Sequence, residues 1–191
     1  MSSRLGNVTR ASDVLTAVSE AVTAIDEATQ KQVTLGAIKY SFLKHRLGGD
    51  IAFDIDESVS LEGNSGPYLQ YALARACSIL SKAGYDAARL QTVLITDAVT
   101  ETGMTLEADE RLLVRKLTEY QEVLTKTIHD LLPHQICSYL FELAQDFNRF
   151  YENNRVIGND RQELRLQLVE NYTRTLHAGL TILGIPTPEK M

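Results

Sequence analysis

The stretch EGNSGPYLQYALAR (residues 62–75) decides how the chain is interpreted, because a Gly-rich loop ends at Pro67 and a helix begins there. Proline is tolerated at the first helical position, where its missing N–H would be unpaired in any case. Beyond it, apolar residues recur at helical spacing and predict a single buried stripe, formed by Leu69, Leu73, Ala76 and Leu80.

Two tyrosines and an arginine fall on another face of the same helix. Tyr68, Tyr71 and Arg75 lie within roughly 60° of one another and about 140° from the apolar stripe, at about 100° per residue. Planar rings beside a cation are suited to stacking on unpaired nucleic-acid bases. The alternative is that the two rings cover a neighbouring element of the same fold.

Composition is that of an ordinary globular protein and excludes several classes of function. The chain has 191 residues, of which 44% are hydrophobic and 23% charged, and its net charge is −6. The acidic excess is spread along the chain, so the sequence does not favour a protein that binds by covering many phosphates. It contains no apolar run long enough to span a membrane and no secretory signal, which predicts a cytoplasmic protein.

Residues with catalytic or metal-binding chemistry are scattered. The four histidines are not paired at ligand spacing, and there is no phosphate loop, dinucleotide fingerprint or nucleophile elbow. Asp54 and Asp56 are interpreted as a strand-end turn rather than an acid/base pair. Cys77 and Cys137 are predicted to be reduced core residues. These residues therefore indicate a helical binding module without a self-contained active site and without a metal site.

Helical periodicity runs through most of the chain and predicts a mainly α fold. We expect a bundle of long helices preceded by a small helix-helix-strand unit. The predicted helices cover residues 12–25, 32–47, 67–82, 105–133, 134–153 and 160–183, and Thr105 is a candidate cap. The last three carry apolar stripes at helical spacing: Leu113, Leu117, Tyr120, Leu124, Ile128 and Leu131; Ile136, Leu140, Leu143, Phe147 and Phe150; and Val169, Tyr172, Leu176, Leu180 and Leu183. Gly184 is placed to end the last helix in a left-handed conformation, before an extended tail.

Two shorter stretches are treated separately. Residues 51–55 alternate apolar and polar side chains, which predicts a short strand. Residues 85–105 include strand-like composition but no clear pattern, and we interpret them as a surface connection with a short helix or turn.

Four motifs together resemble the arginyl-tRNA synthetases, a class I family whose anticodon-binding domain is of the DALR type. EGNSGPYLQYALAR resembles the loop and helix that open that domain, and YLFELAQDFNRFYEN (139–153) resembles a later helix of it. GLTILGIPTPEKM (179–191) resembles the family's C-terminal ending, and MSSRLG (1–6) its version of the Lys-Met-Ser-Lys-Ser loop. The resemblance spans almost the whole chain, with the motifs in the family's order.

The resemblance implies the C-terminal part of an ATP-dependent arginine–tRNA ligase. Residues 1–60 would be the end of the catalytic region, and residues 61–191 the DALR-type helical bundle. The nucleotide-binding domain is missing, so we expect no activity from this chain alone, although Met1, Ser2, Ser3 and Arg4 match the loop that helps to hold ATP phosphates. The chain itself would hold no cofactor, whereas the complete enzyme would use ATP, Mg²⁺ and arginine.

The resemblance also implies a set of tRNA-binding residues, and the expected partner is tRNA(Arg), bound by a monomer. Anticodon contacts are implied for Asn64 in the loop 60–66, for Tyr68, Tyr71 and Arg75, and for Tyr151. Tyr151 and Met191 together resemble a pocket for the middle anticodon base. The rival hypothesis is a helical protein–protein adaptor that binds no RNA.

Overall fold

The computed structural model describes residues 10–84, 105–188 and 190–191, and within them the chain is helical with no strand. The first three helices are α1 (Ala11–Ala21), α2 (Glu27–Leu43) and the single-turn α3 (Ile55–Val59). The other helices of the described ranges are α4 (Gly66–Lys82), α5 (Ala108–Thr118), α6 (Tyr120–Asp130), α7 (His134–Asn153) and α8 (Gln162–Ile182). The mainly α prediction is confirmed.

Two hydrophobic clusters hold these helices together. The larger one, here the bundle core, includes Leu69, Leu140 and Tyr172 and joins α4, α5, α7 and α8. The smaller one, here the N-terminal core, is built from residues of α1, the turn after it and α2: Val18, Val22, Val33 and Ala37.

The predicted apolar stripes are confirmed in three helices. The stripe of α4 is buried, and so are the predicted core positions of α7 and α8: Ile136, Leu140, Leu143, Phe147 and Phe150, then Val169, Tyr172, Leu176, Leu180 and Leu183. Phe147 and Tyr172 stack at the centre, with 3.8 Å between ring centroids and 5° between ring planes. This stack joins α7 to α8 inside the bundle core.

The close approach of α2 and α4 depends on two glycines. A Cβ added to Gly66 would lie 2.2 Å from the carbonyl oxygen of Gly36, and a Cβ added to Gly36 would lie 2.5 Å from the side chain of Gln70. Both distances are far below van der Waals contact, so neither position accepts a side chain without movement of the backbone or of Gln70.

The predicted strand at 51–55 is wrong. Residues 51–54 form no regular structure, and no strand in the described ranges lies beside them to supply hydrogen bonds. Instead, the Asp54 carboxylate accepts a hydrogen bond from the Glu57 backbone N–H at 2.9 Å and caps α3. Phe53 stacks on Phe42 of α2, with ring centroids 5.6 Å apart.

The predicted helix 105–133 is two helices, and Thr105 does not cap it. Glu107 is the cap residue of α5, and its backbone N–H donates to the Glu110 side chain at 2.9 Å. The α-helix is interrupted at Glu119, which is the C-cap of α5 and the N-cap of α6. Consequently Ile128 and Leu131, predicted to continue the stripe, lie 71% and 74% exposed.

Two smaller expectations have mixed outcomes. Gly184 does adopt a left-handed conformation, with φ of 65°. Cys137 is buried, and burial raises the pKa of its thiol to about 12, but Cys77 is exposed and the prediction of a core position for it is wrong. The surface connection predicted at 85–105 lies, apart from Thr105, outside the described residues.

Candidate nucleic-acid interface

The loop before α4 is closed by its own side chains. Ser65, almost fully buried, accepts a hydrogen bond from the Tyr68 backbone N–H at 3.1 Å and so caps the helix. The same hydroxyl donates to the carbonyl oxygen of Ser60. The cap therefore ties both ends of the loop 60–66 together and sets the direction in which α4 leaves it.

Asn64 is an exposed residue of this loop, and side chains from α2 and its C-terminal end hold its oxygen atoms. The buried Tyr40 hydroxyl lies 2.5 Å from Asn64 Oδ1 and 3.1 Å from the Cys137 carbonyl oxygen. Burial raises the pKa of Tyr40 well above its ordinary value, so the hydroxyl keeps its proton and acts as a donor. Lys44 donates to the Asn64 carbonyl oxygen at 3.1 Å. This arrangement leaves the amide nitrogen of Asn64 for an outside acceptor.

Tyr68 faces α7. Its ring meets Phe141 edge to face, with centroids 5.7 Å apart, and its hydroxyl accepts a hydrogen bond from Asn148 Nδ2 at 2.9 Å. Burial raises the pKa of Tyr68, against the smaller lowering effect of the Asn148 bond, so the phenol is neutral at physiological pH.

Two turns further along α4, Arg75 faces the same helix. Its Cζ lies 4.6 Å from the ring centroid of Tyr151, a cation–π contact. The Tyr151 ring lies 6.3 Å from that of Phe147, at 20° between planes. Tyr68, Arg75 and Tyr151 are each partly buried, and together they form the feature called here the aromatic row.

Tyr71 faces a different way. It is 42% exposed and lines a depression of about 340 Å³ with Val22, Val59, Leu61 and Met191, here the tail depression. Met191 also packs against the N-terminal core. The structure therefore brings Tyr71 and Met191 together.

The other expected pairing is not seen. Tyr151 lines a separate depression of about 410 Å³ with Ile79, Lys82 and Arg155, whereas Met191 lines the tail depression. The predicted site is thus two neighbouring features, the aromatic row and the tail depression, with α4 contributing to both. Met1, Ser2, Ser3 and Arg4, matched to the ATP loop, lie outside the described residues.

A buried ion network holds the end of α7 that carries Tyr151. Glu110 is fully buried and accepts hydrogen bonds at 2.9 Å from the Nε atoms of Arg161 and of Arg165. Arg165 also donates to Asn154 Oδ1 at 3.1 Å, just beyond the end of α7. Burial opposes ionisation of Glu110, but its hydrogen bonds with the two arginines and the Glu107 backbone outweigh burial and lower its pKa to about 2.

Two residues of this region lie within the quoted motifs, but sequence reasoning assigned no role to either. Asn148 positions Tyr68 through a hydrogen bond. Tyr151 follows Asn148 by three residues, a helical spacing that places Asn148 and Tyr151 on one face of α7. Gln70 lies four residues from Gly66 and four from Ala74, all three buried. A polar residue between small ones on a helix face is the pattern that would have indicated a close helix contact.

Two findings limit the chemistry of the region. No group of three or more His, Cys, Asp or Glu residues in the described ranges is placed to hold a metal ion. Among the helices of residues 10–84 and 105–188, none has the length and apolar character needed to cross a bilayer.

Comparison with known proteins covers the same regions. Residues 69–191 match the DALR anticodon binding domain family. The chain is 38% identical over 167 residues to an arginine–tRNA ligase of Synechococcus elongatus, covering 86% of this chain and 27% of that protein. It is 39% identical over 174 residues to the arginine–tRNA ligase of Thermobifida fusca, covering 87% of this chain and 29% of that protein.

A solved structure shows the same fold. The chain superimposes on Thermus thermophilus arginyl-tRNA synthetase with a TM-score of 0.81 and 31% sequence identity, covering 98% of this chain and 33% of that one. The chain therefore spans about a third or less of these relatives, and the match lies in their C-terminal region.

Proposed function

Because the chain belongs to the DALR anticodon binding domain family, we propose that it binds the anticodon of tRNA(Arg) as the C-terminal part of an arginyl-tRNA synthetase. The observation that carries the proposal is the aromatic row, in which two phenol rings and a guanidinium are fixed by α7 but remain partly exposed.

Stacking is the main interaction that this geometry supports. Unpaired bases stack on aromatic rings and on guanidinium planes. The Asn148 hydrogen bond and the Arg75 contact hold Tyr68 and Tyr151 before any base arrives, so little side-chain entropy is lost on binding. Asn64, with its amide oxygen held by Tyr40, would donate its N–H₂ to a base edge.

Charge supports the same mode of binding. With a net charge of −6, the chain is poorly suited to binding RNA through many phosphate contacts. Affinity that comes from stacking and base-edge contacts should fall only slightly with added salt, so the salt dependence is itself a measure of the proposed mode.

The test is a binding titration of the 191-residue chain against a tRNA(Arg) transcript and against the same transcript with its anticodon replaced. We expect preference for the native anticodon. Tyr151→Ala should lose about 1–3 kcal/mol of that affinity, which is the usual contribution of a stacked base. Tyr120→Ala is the matched control, because Tyr120 is also a partly buried tyrosine but lies on α6, away from the row.

Two outcomes would contradict the proposal. The first is equal affinity for both transcripts. The second is an equal loss of affinity in Tyr151→Ala and Tyr120→Ala, which would mean that stability rather than stacking explains the loss. The first outcome would remove anticodon recognition and favour the helical adaptor, whereas the second would remove the stacking role proposed for Tyr151.

The wider function is part of the same proposal. The complete enzyme would attach arginine to tRNA(Arg) with ATP and Mg²⁺, in the cytoplasm, through a catalytic region to which residues 1–60 belong. Residues 61–191 would form the RNA-binding domain. ATP–pyrophosphate exchange by the 191-residue chain alone would contradict the proposed division of labour.

A further inference from the structure

Gln70 is the one amide side chain of α4, and it joins three segments of the chain. It is 0% exposed. Its Nε2 donates one hydrogen bond to the carbonyl oxygen of Gln32 in α2, at 3.1 Å, and another to that of Pro186 in the C-terminal tail, at 2.7 Å. Because both neighbours are acceptors, only the amide nitrogen can face them, which fixes the orientation of the group.

Neighbouring residues leave this side chain little freedom. The close approach of α2 at Gly36 places that backbone directly against the Gln70 amide. A second donor holds the start of the tail, since Lys39 Nζ donates to the carbonyl oxygen of Gly184. The tail therefore leaves α8 between two side-chain anchors, one from α2 and one from α4.

Beyond these anchors, the C-terminal tail connects the bundle core to the N-terminal core. Ile185 is buried in the bundle core, and Met191 packs against the N-terminal core, so the tail passes from one core to the other. Pro186, the residue held by Gln70, lies between them. Beyond it, Met191 lines the tail depression together with Tyr71.

We propose that Gln70 is a positioning residue that fixes the C-terminal tail through Pro186 and thereby holds Met191 beside Tyr71 for RNA binding. The last clause rests on the function proposed above. The fixing of the tail does not, because it can be measured without RNA.

The first test measures release of the tail. Gln70→Met keeps the shape of the side chain but removes both hydrogen bonds. We expect carboxypeptidase to remove Met191 up to about tenfold faster than from the wild type, since the hydrogen bond to Pro186, a neutral bond of ordinary strength, is lost from the contacts that oppose opening of the tail. Lys39→Met, which removes the other anchor without touching the α2–α4 contact, should accelerate release as well.

Gln167→Met on α8 is the matched control. The Oε1 atoms of Gln70 and Gln167 are both buried without a hydrogen-bond partner, but Gln167 lies on α8, and no hydrogen bond joins its side chain to the described tail. Its release rate should equal that of the wild type. Thermal unfolding of each variant shows how much of any change comes from the stability of the whole chain. If Gln70→Met and Gln167→Met release Met191 equally fast, the proposal is overturned.

The second test is a double-mutant cycle on tRNA affinity. If Gln70 acts through Met191, Gln70→Met should weaken binding in the wild-type background, by up to about tenfold, and have little further effect in Met191→Ala. Equal effects in both backgrounds would mean a purely structural role and would overturn the positioning proposal. If the wild type shows no preference for tRNA(Arg), the proposed function fails, and the release assay alone decides whether Gln70 fixes the tail.

Discussion

Replacing Glu110 by glutamine tests whether the buried ion network fixes the end of α7 through charge. The substitution keeps the shape of the side chain and removes one negative charge between Arg161 and Arg165. Arg165 is itself buried, so its guanidinium cannot recover solvation when the charge of Glu110 is lost, and it keeps one carboxylate partner, Glu107, at 2.8 Å. Removing one partner of a buried ion pair destabilises a protein by about 3–5 kcal/mol. Because glutamine keeps an amide oxygen that can accept a hydrogen bond, we expect the lower value, about 3 kcal/mol, here.

Unfolding in urea or by heat measures this directly. For a chain of this size, about 3 kcal/mol corresponds to a fall in the melting temperature of about 10 °C. Glu163→Gln is the matched control, because Glu163 lies exposed in the first turn of α8, two residues before Arg165. It should change the free energy of unfolding by less than about 0.5 kcal/mol.

The pH dependence of the difference gives a sharper check. The pKa of Glu110 is about 2 in the folded chain, against an ordinary value of 4.5, so its ionised form stabilises the fold above pH 4.5. That stabilisation is lost as the pH falls from about 4.5 toward 2. The stability difference between wild type and Glu110→Gln should therefore shrink over this range. A difference that is equal at pH 7 and pH 3, or no larger than that of Glu163→Gln, would refute the argument.

Two further substitutions test the placement of α4. Gly66→Ala should destabilise the chain by about 1–3 kcal/mol in urea unfolding, because the new Cβ would meet the Gly36 carbonyl oxygen at 2.2 Å. Gly49→Ala is the control and should have no such effect, because its Cβ would meet only the Arg46 carbonyl oxygen, at an ordinary 3.5 Å. Ser65→Ala removes the helix cap and the bond to Ser60 and should lose about 1 kcal/mol by the same assay, whereas Ser65→Asp, which keeps a capping acceptor, should recover part of it; equal losses would argue against the cap.

Helices with one wide apolar stripe could be predicted from the sequence, and α2 shows why others could not. Its large apolar residues Leu35 and Phe42 recur at helical spacing, yet they lie 37% and 42% exposed. The buried face consists mostly of small or polar side chains, including Thr34, Gly36 and Ser41. Helix α2 contacts both α1 and α4, and its backbone lies close to that of α4. Small residues are therefore required on the buried face, whereas a periodicity argument searches for large apolar ones.

The same limit applies to the candidate site. Sequence spacing placed Tyr68 and Tyr71 on one face of α4, and they do lie outside its buried stripe. A separation of about 60° around a helix is nevertheless enough for two side chains to meet different neighbours. Tyr68 reaches Asn148 on α7, whereas Tyr71 reaches Met191, and neither neighbour follows from the periodicity of α4.

The tail depression also changes the meaning of the proposed boundary between residues 60 and 61. Its walls come from both sides of that boundary, with Val22 and Val59 before it and Tyr71 and Met191 after it. Gln70, beyond the boundary, donates to Gln32, before it. The aromatic row, by contrast, is formed entirely by α4 and α7. If the tail depression contacts RNA, the first unit contributes part of the binding surface, so the boundary separates two stretches of sequence but not two sites.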